Sequence, residues 1–331
     1  MPVSRIRKKK SKKNKPKGVK VDIKTPSIKE VLTRVDERGL LPVRVLCGNL
    51  ADLFFNISPD FLKEFENEVY NGLSDKIVYS IQTEYIRDVA QLNNQQQIVL
   101  YENFNQYLWS MTYALLVLFD KGVHAPRLNG EFSGAFADTP EVAEAWDLFQ
   151  AALYLKKGYN REIFYHLPNP ELNNGEEYIL KANAVYLAAL NFILLHEFGH
   201  QYYGHYSYFE PGDQAKQDEH LADDFAINKI SGHFNSNNGK TLKAGILVGT
   251  LSLLFLRKTL GGGASHPNLD VRLKVIIEKL ELEELDNLWG VAGLAISLWS
   301  NEFGHDVQIP PVGETYKELF YEILEDLPRF Q

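Results

Sequence analysis

The chain has a single cysteine in 331 residues, Cys47. One thiol closes no intrachain disulfide and cannot supply a cysteine-rich metal module, which favours a reducing, cytoplasmic compartment. Methionine is nearly as scarce, with only Met1 and Met111. Apolar runs are short. Residues 244–256 are mostly apolar between Lys243 and Arg257, but as a helix they span only about 20 Å against a hydrocarbon core of about 30 Å. They read as a buried helix, and no transmembrane segment is expected. The triglycine at 261–263 lacks the lysine and hydroxyl of a phosphate loop, so it reads as a flexible joint. The first twenty residues hold no acid and ten of the 35 Lys and Arg, leaving 25 bases against 43 acids in the remainder. Residues 1–22 are too polar to bury and read as a disordered basic tail without the apolar core of a signal peptide. Residues 1–20 are either a solvated extension or an arm for a polyanion such as nucleic acid.

What is present suffices for a large core, since 45% of the chain is hydrophobic. The pattern is α+β and predominantly helical. Residues 41–46 and 77–82 alternate like strands, whereas 60–70 and 97–119 read as helices. Thr139-Pro140-Glu141 is a helix start, and Val142, Trp146, Phe149 and Leu153 then repeat at helical spacing as a core stripe. Pro168, Pro170 and Asn173-Asn174-Gly175 mark a boundary. It divides an N-terminal α/β region over 23–160, supporting the cleft, from a catalytic region over 161–331. Residues 231–239 read as an exposed polar loop, and 271–285 and 313–327 as amphipathic helices.

The chemistry concentrates in His196-Glu197-Phe198-Gly199-His200, which follows a nearly uninterrupted apolar stretch. On a helix, positions four apart lie one above the other, so His196 and His200 present two imidazoles to one point, half of a tetrahedral zinc site. Glu197 is placed to take a proton from water at that site, the H-E-x-x-H arrangement of zinc metallopeptidases. A third ligand is required, and three candidates follow. His205 is five residues after His200, one short of the spacing used by the extended motif with a third histidine, and no methionine follows. Glu219 lies on a helix expected after Pro211-Gly212 and shares a face with Asp223, which would fix the outer N–H of a ligand histidine, His196 first. His220 would point away from that face.

Three ordered segments carry a resemblance: HEFGH at 196–200, EHLAD at 219–223 and SHPNLDVR at 265–272. Together they resemble the glutamate-zincin metallopeptidases, in particular the phage-exclusion Lit-type peptidases and the HtpX and CAAX prenyl-protease group. The resemblance implies a zincin-like core with Zn2+ held by His196, His200 and Glu219. It also implies Glu197 as general base, Asp223 and Arg272 as outer partners that steady the site, and His266 on the substrate side as a catalytic group. The activity implied is cleavage of an intracellular protein or peptide, as in phage defence. The rival reading is a non-catalytic zinc-containing protein that contacts nucleic acid through the basic arm, its metal enclosed by a fourth protein ligand such as His205 or His220.

Overall fold

A computed structural model describes residues 40–55, 57, 61, 63, 77–80, 86, 89–92, 97–132, 134–157, 161–172, 176–205, 212–307 and 315–331. The basic tail, most of the helix expected over 60–70 and the turn at 173–175 lie outside the described residues.

A 3-10 turn, Pro42–Leu46, runs into helix α1, Cys47–Phe55. Strands β1, Ile77–Ser80, β2, Ala90–Leu92, and β3, Ile98–Tyr101, form a small mixed sheet. β3 is central, parallel to β1 with Ile77 opposite Ile98 and antiparallel to β2 with Leu92 opposite Ile98. Among the described residues the main elements that follow are helices: α2, Glu102–Phe119, continued by a π turn, Asp120–His124, and α3, Ala125–Leu128; α4, Pro140–Leu155; α5, Glu177–Tyr203; α6, Asp213–Ser231; α7, Gly239–Ser252; α8, Leu269–Lys279; α9, Leu288–Phe303; and α10, Tyr316–Asp326. The described residues are thus predominantly helical, with few strands.

The helix start expected at Thr139 holds for the stated reason. α4 starts at Thr139, whose hydroxyl accepts from the Val142 amide at 3.4 Å, with Pro140 in the first turn. α10 starts with a reciprocal cap, Thr315 Oγ1 accepting from the Glu318 amide at 3.2 Å and Glu318 Oε2 from the Thr315 amide at 3.1 Å. Other expectations are corrected. Residues 41–46 form no strand. The amides of Leu40 and Leu41 donate to Glu102 Oε1 at 2.7 and 3.1 Å, and that of Val43 donates to Gln106 Oε1 at 3.1 Å. Side chains of α2 therefore take the donors that a neighbouring strand would need, and Pro42 fixes the turn. The helix expected from residue 97 starts only at Glu102, because Ile98–Tyr101 is buried on both faces as the central strand. Trp146 of the expected core stripe is 38% exposed; its ring lies outside Phe149, at a centroid distance of 5.5 Å. The helices expected over 271–285 and 313–327 are shorter, at Leu269–Lys279 and Tyr316–Asp326.

α5 is the axis of the molecule. It is apolar on all sides, so it must be enclosed, and α2, α6 and α7 pack along it. Two segments, Glu177–Tyr203 and Gly239–Leu256, are long and apolar enough to cross a membrane by length and composition, and most of each apolar window is buried inside the protein. The length argument over 244–256 is accordingly replaced by burial, because the helix begins earlier, at Gly239. Gly199 sets the approach of α6 to α5. A Cβ there would stand 3.2 Å from Ala222 Cα and 3.2 Å from Phe225 Cβ, closer than packed carbons ordinarily come. The glycine of HEFGH therefore lets α6 bring its acidic face to the histidines.

Candidate metal centre

His196 and His200 sit one turn apart near the C-terminal end of α5, with their Nε2 atoms 3.1 Å apart. Glu219 faces them from α6, with Oε2 3.5 Å from His196 Nε2 and Oε1 3.4 Å from His200 Nε2. One ligand atom from each of the three residues lies within 4.8 Å of the others. His196 and Glu219 are buried and His200 is partly so. Two imidazole nitrogens and a carboxylate converging in this way suit a divalent transition metal, with further coordination positions left for water or substrate. Among the described residues, these three make up the group, and neither His205 nor His220 belongs to it.

Asp223 and Arg272, expected from the sequence as outer partners, lie against this group. Asp223 Oδ1 lies 2.9 Å from His196 Nδ1. Because His196 turns Nε2 to the centre, Nδ1 carries the hydrogen and donates it to Asp223. Arg272, from α8, grips Asp223 with both arms of its guanidinium, Nε to Oδ2 at 2.8 Å and Nη2 to Oδ1 at 2.6 Å. Its Nη1 stands 3.5 Å from Glu219 Oε2. Arg272 thus joins the Glu219 and Asp223 carboxylates and ties α8 to α6.

The charges follow from these contacts. Burial works against a charged His196, but Asp223 and Glu219 outweigh it and push the imidazole up to about 10. Burial would raise Asp223; Arg272 and His196 hold it down at about 2. Glu219, likewise buried, is held far below the usual carboxylate range by His196, His200 and Arg272. Glu197 differs. Burial pushes its carboxyl above the usual range, and Glu219 adds to the rise, while His196 and His200 act in the opposite direction. A carboxylate whose pKa is raised is a stronger base than an ordinary one.

His266 approaches from the open side. Its Nε2 is 3.5 Å from Glu219 Oε1, its side chain is 42% exposed, and Ser265 Oγ lies 2.9 Å from its Nδ1. The loop carrying it is held closed, where the sequence suggested a free joint. The Gly262 amide donates to Asn268 Oδ1 at 3.0 Å, and the Leu269 amide to the Leu260 carbonyl at 2.8 Å. A Cβ on Gly262 would fall 2.1 Å from the carbonyl oxygens of His266 and Pro267. The close turn requires glycine for space.

His205 is brought to the cluster in a position that sequence spacing did not give. Its Nδ1 lies 3.0 Å from His200 Nδ1, on the side of that ring away from His196, and its Nε2 faces Asp218 Oδ1 at 3.6 Å. Asp218 was not singled out in the sequence. The available signal was Gly204, whose left-handed φ of 71° ends α5 and folds the next residue back.

No curated protein and no solved structure matches the chain. A model of the family described as peptidase U49 matches residues 98–292, more than half the length and including every residue of this cluster, and the chain belongs to that peptidase family.

Proposed function

We propose that the protein is a zinc-dependent endopeptidase acting on an intracellular protein substrate. The observation that carries the reading is the convergence of His196, His200 and Glu219 in a chain of a peptidase family. The metal set is matched by Glu197 on the same helix turn, with its carboxyl raised by burial. A role in phage defence and a zincin-like core rest on the resemblance to Lit-type and related peptidases alone.

A zinc ion held by these three side chains supplies Lewis acidity that polarises the scissile carbonyl and acidifies water. Glu197 accepts the proton of the attacking water and passes it to the leaving amine, so one carboxyl serves first as base and then as acid. Asp223 holds His196 in the tautomer with a free Nε2. Arg272 balances the negative charge of Asp223 and Glu219. His266, partly exposed beside Glu219, donates to the oxyanion that develops on the substrate carbonyl.

The test is chelation and reconstitution of the purified chain, read by new N-termini in a treated cell lysate. Chelation is expected to abolish the cleavages, and stoichiometric zinc to restore them in the wild type but not in Glu219→Ala. Cleavage that survives complete metal removal would overturn the reading.

A further inference from the structure

We propose that His205, with Asp218 behind it, positions His200 as a metal ligand, giving the second imidazole an outer partner as Asp223 is for the first. The inference rests on the metal-site reading above. A ring that coordinates through Nε2 carries its hydrogen on Nδ1. His200 turns Nε2 to His196 and Glu219, at 3.1 and 3.4 Å, so its Nδ1–H points to the other side. There it meets His205 Nδ1 at 3.0 Å. Two facing nitrogens at this distance need one donor and one acceptor, so His205 accepts and bears its own hydrogen on Nε2. That edge faces Asp218 Oδ1 at 3.6 Å, and the carboxylate favours a hydrogen on the nitrogen nearest to it. Asp218 is in turn fixed by Gln214 Nε2, which donates to Oδ1 at 2.9 Å. The chain of contacts therefore specifies a single tautomer for both rings.

The backbone is shaped to make this contact. In a continuing helix, a residue five positions after His200 would lie about 140° round the axis and could not reach it. Gly204, at φ 71°, stops α5 and turns the chain back. His205 then lies edge-on to the His200 ring at 5.2 Å, covered on another side by Tyr203, stacked at 5.5 Å and 20°. A direct ligand role would require His205 to leave His200, because its Nδ1 is occupied there and its Nε2 faces Asp218.

The experiment is competition between the full-length protein and a chromophoric chelator for Zn2+, with the absorption spectrum of the Co2+-loaded protein as a second readout. His205→Ala is expected to bind Zn2+ about 10- to 100-fold more weakly, the usual loss for an outer partner, with an unchanged circular dichroism spectrum. His205→Asn places an amide oxygen near the position of Nδ1 and is expected to recover most of the loss, while His205→Leu does not. Asp218→Asn should lose less than His205→Ala. A wild type that binds Zn2+ with His205→Ala equally tight overturns this inference alone. So does a His205→Ala protein whose Co2+ spectrum has lost a nitrogen ligand, which would make His205 a ligand. A wild type that binds no Zn2+ overturns the metal-site reading and this inference with it.

Discussion

Replacing Arg272 by leucine removes the cation that holds two carboxylates together. Its guanidinium lies 2.8 and 2.6 Å from the oxygens of Asp223 and 3.5 Å from Glu219, and the side chains of Arg272 and Asp223 are 11% and 2% exposed. At a charge separation of about 4 Å and an effective dielectric of about 20, the attraction to Asp223 is about 4 kcal/mol. The measured cost of breaking such a buried pair from one side, about 3–5 kcal/mol, agrees with it. Urea unfolding of the metal-free Arg272→Leu protein, followed by circular dichroism, should show a loss of that size. The double variant Arg272→Leu/Asp223→Leu should regain most of it, because the Asp223 carboxylate is no longer left buried without its guanidinium. Zinc added to the single variant should recover part of the loss by neutralising Glu219. A single-variant loss below about 1 kcal/mol, the range of an exposed ion pair, would refute the reasoning, and so would additive effects in the cycle.

Three further outcomes follow from other contacts in the structure. Glu219→Ala should lose more zinc affinity than the roughly 10- to 100-fold typical of an outer partner, measured by chelator competition; retention within that range would remove Glu219 from the ligand set. Gly199→Val should push Ala222 away, cost about 1–3 kcal/mol in overpacking and weaken zinc binding, since α6 carries Glu219; an unchanged affinity would separate the helix approach from the site. Glu102 is buried, and burial raises its carboxyl against the Leu41 and Leu40 amides. The folded chain then holds that proton more tightly than the unfolded chain. Its contribution is most favourable below the unfolded value and falls as pH rises through the raised folded one. Glu102→Gln keeps an oxygen for the two amides, so its unfolding free energy should decline less than the parent's from pH 4 to 8, and an equal slope in both would contradict the shift.

The geometry at the centre of the candidate site was legible because it is local. His196 and His200 are four apart on one helix, and Glu219 and Asp223 four apart on another, so helical spacing alone put each pair on a face. The approach of the two helices was written in Gly199, but a glycine reports a close contact without naming the partner. His205 was weighed as a ligand from its spacing to His200. The left-handed turn at Gly204 changes that geometry, and no count along the chain registers a change in backbone hand. Strand β3 was absorbed into the helix that follows it, because a short apolar run has no periodicity to separate a buried strand from a buried helix. The segment at 41–46 failed for the opposite reason. Its alternation was real, but Glu102 and Gln106, some sixty residues away in the chain, took its amides.

The most direct test of the peptidase reading is Glu197→Gln, made in a chain purified with its metal. Zinc per chain is measured by mass spectrometry, and new N-termini are profiled in lysate treated with the variant or the wild type. The account predicts zinc in both proteins and one or a few cleavages with the wild type alone, because the amide can still fill the position but cannot take a proton from water. Equal cleavage by the variant would contradict Glu197 as the base and, with it, the mechanism assigned to this site.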